Sequence, residues 1–440
     1  MPSRVLPTVL PERLGQPFRW LIGSTWSSNL GDGLLSAAGP LLVASRTDQP
    51  FVVALAALLG WLPPLLFGLV AGVVTDRVDR RRLVVTGNAV RVGVLAVLAA
   101  FVAVDSAPVW VVLVALFVLA TVETFVDNVT GTLVPMTVHR DDLALANSRA
   151  MVGFVGLNQL AGPPLGAALF ALAQWTPLVG AAVLVGAGVV LMSRVVLPPH
   201  GRAVHERGTV RADIAEGLRW TWRHPAVRTL VLTIFIFNLT FGAAWSVLVL
   251  YAQQRLGLGE VGFGLVTTVQ ALGGLVGVGA YGWLTARLSL TALMRIGLVL
   301  ETVTHLALAL TRSAWVAMPV FFVFGAHAFV WGTTSVTIRQ RAVPQVLQGR
   351  VNSVNLIGVF GGLVIGAGAG GALAQRWGVT APFWFAFVGS AVFVVLIWGQ
   401  LRHVAHTDAR PEPEGEDGAD GEAAGPGAVG EDTGSGRIGA

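Results

Sequence analysis

The chain contains no cysteine among its 440 residues. That excludes disulfides, thiolate metal sites and a thiol nucleophile. It contains no lysine either, so all 29 basic residues are arginine. A Walker-type phosphate loop needs a lysine behind its glycines, which removes that kind of ATP-driven motor. Charge is scarce: 12% of residues are charged, against about 25% in soluble domains. What fills the space is apolar, at 54% of the chain. Uncharged runs near the roughly 20 residues that span a bilayer recur throughout. The composition therefore describes a membrane protein with many crossings. The high pI of about 10.9 is no nucleic-acid signal, because the arginines flank apolar runs, where topology and lipid explain them. No metal, cofactor or enzymatic activity is expected. No small-residue cleavage site follows a short apolar core at the N-terminus, so the first span is expected to stay attached.

Twelve spans are expected: Trp20–Ala44, Phe51–Val74, Leu83–Val104, Val109–Pro135, Leu145–Ala173, Leu178–Leu197, Val227–Ala252, Val261–Ala286, Thr291–Leu310, Trp315–Arg339, Asn352–Ala374 and Thr380–Leu401. They group into an N-terminal half (1–197), a linker (198–225), a C-terminal half (226–402) and an acidic, Gly- and Pro-rich tail (403–440) that cannot bury a core. With both termini in the cytoplasm, every arginine falls inside except Arg46, Arg255, Arg312 and Arg376. That asymmetry sets the expected orientation in the cell membrane. Within the linker, Thr209–Arg223 reads as an amphipathic helix with Ile214, Leu218 and Trp222 on one side. It would either lie on the membrane surface or tether the halves.

The halves repeat each other. Asn29-Leu30-x-x-Gly33 returns as Asn238-Leu239-x-x-Gly242, and Gly72-x-x-x-x-Arg77 as Gly282-x-x-x-x-Arg287. Val134-Pro135 returns as Val343-Pro344, and Gly162-x-x-x-Gly166 as Gly366-x-x-x-Gly370. Four matches in order imply two homologous six-helix bundles related by an axis along the membrane normal, with the substrate site between them at mid-membrane.

Ionisable groups inside spans are expensive and mark function. Asp32 shares a face with Asn29 and Ser36 by helical spacing, and Glu123 and Asp127 are i, i+4 neighbours. Two carboxyls so close in hydrocarbon are expected to share one negative charge, and the second group then carries a proton. The repeat maps Asp32 onto Phe241 and Ser36 onto Trp245. One half thus offers acids and the other, with Asn238, an aromatic surface suited to an amphipathic or cationic molecule; packing alone would also explain those rings. Glu301 and His305 are expected to form a structural pair, His327 to pack, and Arg91 to reach toward the inner surface.

Between two apolar runs lies Gly72-Val73-Val74-Thr75-Asp76-Arg77-Val78-Asp79-Arg80-Arg81-Arg82. This resembles the helix 2–3 loop of the major facilitator superfamily, and Asp79 resembles the drug:proton antiporter branch that includes macrolide efflux pumps and siderophore exporters. The resemblance implies an all-α membrane protein of twelve helices in the major facilitator fold. It also implies export of a small molecule in exchange for protons, with no nucleic acid as partner and a monomer as the expected state. Gly72, Asp76, Arg77 and Arg80 would form a conformational latch against helix 11. Gly162, Pro163 and Gly166 resemble the helix-5 motif of antiporters, with Ala167 in place of its final glycine. The helix-4 arginine common in that group has no counterpart. Export of an endogenous metabolite or siderophore, import, and a non-transporting sensor or scaffold on the same fold all remain open on these residues.

Overall fold

The computed structural model describes residues 12–197 and 210–401. The expected acidic tail, the chain before Glu12 and most of the first half of the linker lie outside the described residues, as do the side chains of Asp76 and Arg77. Among the described residues the chain is helical and has no strand. The twelve long helices are α1 (Gly15–Ala44), α2 (Pro50–Arg77), α3 (Arg80–Ala103), α4 (Val109–Thr137), α5 (Arg140–Leu172), α6 (Thr176–Ser193), α7 (Pro225–Trp245), α8 (Glu260–Thr285), α9 (Leu290–Leu310), α10 (Ala314–Ala342), α11 (Gln348–Trp377) and α12 (Ala381–Ile397). Each coincides with one expected apolar run. Ten are long and apolar enough to cross a bilayer. The others are α1, which carries a polar stripe through Ser24, Asn29 and Asp32, and α12, an apolar helix of 17 residues. Only helices that satisfy their own backbone can cross hydrocarbon in an open bundle like this.

Local chemistry sets the helix ends. Asp79 caps α3, its carboxylate accepting from the Arg82 amide at 2.8 Å. Prolines occupy the first turns of α2, α6, α7 and α12. Two irregularities stand out. α5 widens into a π-helix over Gly153–Ala161. α7 breaks after Trp245 and resumes as Leu248–Leu250 and a π-turn, Tyr251–Arg255. At the arginine-poor end, Arg46 pairs with Asp105 and donates to Gln174, and Arg255 donates to the carbonyls of Thr311, Ala309 and Leu310 at the end of α9. Two of the four arginines at this end are therefore consumed by structure.

Duplication is visible in the packing. In the first half α1 lies against α5 so closely that a Cβ on Gly162 would sit 2.4 Å from the Gly33 Cα, and one on Gly166 2.2 Å from the Leu34 carbonyl oxygen. In the second half α7 lies against α11 in the same way: a Cβ on Gly366 would sit 2.2 Å from the Leu239 oxygen, and one on Gly242 2.6 Å from the Leu363 oxygen. Small residues allow this approach where lipid supplies no hydrophobic drive between helices.

The halves meet through α2 with α11 and α5 with α8. They meet at the arginine-poor end. There the Phe51 amide donates to Gln375 Oε1 at 3.3 Å, and a Cβ on Gly371 would sit 2.7 Å from that of Ala54. On the other side of the axis a Cβ on Gly264 would sit 2.7 Å from Ala167, and the Thr268 hydroxyl donates to the Leu160 oxygen at 3.1 Å. One continuous apolar cluster at this end draws residues from both halves, from Leu41 and Val53 to Phe263 and Phe383. Toward the arginine-rich end the clusters separate by half. The contact stripe of α2 (Ala54, Leu58, Trp61) continues by spacing to Gly68 and Gly72, and that of α8 (Gly264, Thr268) to Gly279 and Gly282. None of these four glycines has an atom within 4 Å of where a Cβ would be. The bundle is splayed at the arginine-rich end and sealed at the other.

The linker helix, Val210–Arg223, docks on α11. A Cβ on Gly217 would sit 2.6 Å from the Arg350 oxygen, and Glu216 pairs with Arg350 at 2.7 Å. Leu218 and Trp222 on its outer side remain exposed. One face of the linker helix is thus held to the C-terminal half and the other is left exposed.

Candidate functional site

Arg91 organises the site, and it does not reach for the surface as its place in the sequence suggests. It is 1% exposed. α3 is held between α6 and α4, which turns this residue inward. Its Nη2 forms an ion pair with Asp32 Oδ1 on α1 and lies 3.9 Å from Glu123 Oε2 on α4. Its Nη1 donates to Asn88 Oδ1 at 3.2 Å, one turn back on its own helix. Asp127 lies within Coulombic reach of Arg91 and Asp32, yet it is exposed, and Glu123 is partly so. Both acids thus keep accessible surface beside the buried guanidinium. One guanidinium therefore faces three carboxyl groups. Fully ionised, the cluster would carry two excess negative charges in a low-dielectric setting, so it can hold up to two compensating cations or protons. Asn29 is close in sequence but turns to its own helix, donating to the Thr25 oxygen at 2.9 Å. Ser36 likewise bonds the Gly33 oxygen.

Phe241 and Trp245 are part-exposed and pack on the buried rings of Phe324 and Phe321. Phe241 stacks on Trp245 at 4.5 Å, and Phe324 of α10 lies 4.5 Å from Trp245 and 5.8 Å from Phe241. Phe321 meets Trp245 edge-on at 6.1 Å. Trp61 of α2 reaches Phe241 from the other half at 6.4 Å. The indole Nε1 of Trp245 donates to Gln270 Oε1 of α8 at 3.4 Å. Asn238 does not join this wall; it bonds the Ile234 oxygen at 2.7 Å and packs beside Gly362. Asp32 on α1 and Phe241 on α7 are equivalent positions of the repeat.

Of the latch residues, Gly72 faces open space, and Arg80 donates to Met136 Sδ at 2.9 Å. In the helix-5 motif, Gly162 and Gly166 carry the α1 contact and Pro163 is buried against α8. The sequence carries no local sign of Trp61, Phe324 or Gln270, and it reads Arg91 as reaching for the inner surface and His327 as packing, where the structure pairs them with Asp32 and Glu301. Asn88 three residues before Arg91 was the available signal: two polar residues on one face of an apolar helix.

A family model described as transmembrane secretion effector matches residues 11–416. The multidrug efflux pump Tap of Mycolicibacterium fortuitum is 29% identical over 398 residues, covering 83% of this chain and 91% of that protein. Macrolide efflux protein A of Streptococcus pyogenes is 21% identical over 387 residues, covering 84% and 92%. Among solved structures, a bacterial homologue of the human lysosomal transporter Spinster, inward-facing and unoccupied, superposes with a TM-score of 0.68 at 12% identity, covering 92% of this chain and all of that one. A bacterial homologue of the iron transporter ferroportin, inward-facing, gives 0.65 at 19% identity, covering 91% and 100%. At such identities these two speak for the fold alone. The chain belongs to the transmembrane secretion effector family, within the major facilitator superfamily of integral membrane transporters.

Proposed function

We propose that this member of the family is a proton-coupled exporter of amphipathic, drug-like molecules, working by alternating access in the cell membrane with both termini cytoplasmic. The observation that carries the reading is the single buried guanidinium facing three carboxyls, two of them partly accessible. The Arg91 charge is fixed, because an arginine does not deprotonate in a protein. The carboxyls can exchange protons around it. A proton arriving at Asp32 weakens its pair with Arg91, which is then released toward Glu123 and Asp127. A cationic or amphipathic substrate can do the same by adding positive charge near the acids while its apolar body lies on Phe241 and Trp245. Proton and substrate then compete for one set of charges, which is what exchange requires. Relatives named for multidrug and macrolide efflux fit this substrate class.

Alternation is supplied by the halves. Residues 1–197 and 226–402 would rock about the axis, closing the arginine-rich end as the other opens. Asp76 and Arg77 would latch that closed end against the N-terminus of α11, where the helix dipole favours an acid. The transporter is proposed to act as a monomer.

Proteoliposomes holding the full chain and a fluorescent lipophilic cation, under an imposed pH gradient, test the reading. Wild type should drive the dye against its gradient. Asp32→Asn should abolish uphill movement while leaving expression and folding intact. Uphill transport at the wild-type rate by Asp32→Asn would remove the acid cluster from the coupling.

A further inference from the structure

The antiport reading leaves a second buried cluster of ionisable groups unused, in the other half. Glu301 of α9, His305 one turn later and His327 of α10 are all nearly inaccessible. His327 Nε2 lies 2.9 Å from Glu301 Oε2, and His305 Nε2 lies 3.3 Å from Oε1. Two imidazoles thus converge on the two oxygens of one carboxylate. Nδ1 of both rings is buried with no hydrogen-bond partner among the described residues, and Nε2 of His305, though 3.3 Å from the carboxylate, makes no hydrogen bond at this geometry either. Other charges are distant. α12 carries no ionisable side chain, α7 carries only Arg228 at its far end, and α8, packed against α10, carries Glu260 in its first turn and Tyr281 near its other end. On α9, Arg295 bonds the Trp398 oxygen. On α10, Arg339 and Arg341 sit in the last turn. Beyond α9, Tyr251 donates to the Leu308 oxygen and Arg255 to carbonyls at the helix end. The coulombic partners of Glu301 are its two histidines.

The rings are also the back of the aromatic wall. Trp245 lies 5.9 Å from His305, edge to face, and Phe324 lies 5.4 Å from His327 in the same relation. Both separations fall within the ~6 Å over which a cation is drawn to an aromatic ring.

We infer that Glu301, His305 and His327 form a proton-binding site in the C-terminal half, and that its occupancy sets how firmly Trp245 and Phe324 are held in the substrate-facing wall. Charge balance gives the reason. With both imidazoles neutral, the carboxylate is one uncompensated negative charge in hydrocarbon, which is costly. One proton on the pair cancels it and draws His305 from its 3.3 Å approach into a charge-assisted hydrogen bond. The imidazolium so formed attracts the rings behind it. Losing the proton loosens them. The existence of the site does not depend on antiport; its effect on transport rests on the exporter reading above.

The test uses the full chain in phosphatidylcholine/phosphatidylglycerol nanodiscs with 15N-labelled histidine. His305→Gln and His327→Gln assign the two resonances. In wild type, at least one should move between the neutral and imidazolium shifts within about pH 5–8, and Glu301→Gln should displace that midpoint by at least one pH unit. Both rings staying neutral across that range, or a midpoint unmoved in Glu301→Gln, overturns the inference. Trp245→Phe, which keeps the wall, should change the shift of His305 and leave the titration present. The link to transport is read separately. Glu301→Gln should move the pH profile of dye efflux without abolishing it; an unmoved profile severs the link, whereas failure of the exporter reading would show as wild-type uphill transport by Asp32→Asn.

Discussion

The glycines on the α2 face make the proposed rocking motion testable with a single added side chain. Gly72→Leu adds a side chain where no atom lies within 4 Å of the new Cβ. In the splayed state it therefore meets nothing, and replacing a helix-interior glycine returns about 0.5–1 kcal/mol of helix propensity. In the opposite state α2 and α11 would close at this end. The closed end shows how tight that is: a Cβ on Gly371 already sits 2.7 Å from that of Ala54. Overpacking of this kind costs about 1–3 kcal/mol. The propensity gain is common to both states and cancels between them; each 1.4 kcal/mol is tenfold in an equilibrium constant, so overpacking alone should lower the closed population by roughly five- to a hundred-fold. The absence of native cysteine makes the measurement clean. Spin labels at His139→Cys and Gln345→Cys, both exposed at the arginine-rich end, should give only the long distance in Gly72→Leu, while wild type with substrate shows a shorter population. A second pair, Ser106→Cys and Arg312→Cys, should stay short. Transport by Gly72→Leu should fall in proportion to the lost state. Wild-type transport with an unchanged distance distribution would refute the idea that α2 and α11 meet there.

Three further outcomes follow from the same packing and charges. Arg91→Gln removes the cation from Asp32. Breaking a buried pair on one side costs about 3–5 kcal/mol, so thermal unfolding in detergent should begin at clearly lower temperature than in wild type, and Asp32→Asn on that background should recover most of the loss; an additive double variant would mean that the two side chains do not depend on each other. Gly166→Val places a side chain where a Cβ already lies 2.2 Å from the Leu34 oxygen, and should destabilise by at least the 1–3 kcal/mol of overpacking, seen as reduced folded yield; normal yield would show that α1 and α5 can separate freely. Trp245→Ala opens the aromatic wall and should weaken transport of large aromatic cations at least tenfold more than that of small aliphatic ones, measured as competing dye efflux; equal losses would assign Trp245 to packing alone.

Much of this was legible in the residues. Scarce charge and recurrent apolar runs give the twelve helices, because hydrocarbon admits few alternatives. The repeat foretells the paired glycine contacts, since Gly33 and Gly242, or Gly166 and Gly366, could match only if their neighbours also matched. Helical spacing nominated Asp32 and the Glu123–Asp127 pair, and the structure brings all three toward one guanidinium. Spacing, however, gives a face and never the element that face meets. Arg91 is 59 residues from Asp32, and a long basic side chain inside a span can lie inward or run to the headgroups. What decides between these is the rotation of α3, which α4 and α6 fix jointly. His327 could not be tied to Glu301 for the same reason, because the link runs between α9 and α10 and no local pattern records it. The π-segment of α5 is likewise silent in the sequence: Gly153 is small because the Trp26 ring lies 2.2 Å from where its Cβ would be, a contact with a residue more than a hundred positions earlier.

Duplication followed by divergence explains why the two clusters differ in kind. The fold supplies equivalent positions in each half, and at one of them the N-terminal copy has Asp32 where the C-terminal copy has Phe241. A wall of acids facing another wall of acids would repel itself across the opening and would admit only strongly cationic cargo. A wall of rings facing a wall of rings would bind apolar molecules with no means of expelling them. On the exporter reading, placing the charges on one side and the aromatic area on the other would let a single molecule touch both, its cationic part toward Asp32, Glu123 and Asp127 and its apolar part on Phe241 and Trp245. The same division lets protonation weaken one contact without disturbing the other. Exchanging the two residues, Asp32→Phe with Phe241→Asp, should therefore not restore function, because Arg91 has no equivalent opposite Phe241; measurable uphill transport by that double variant would show that the position of the charge matters less than its presence.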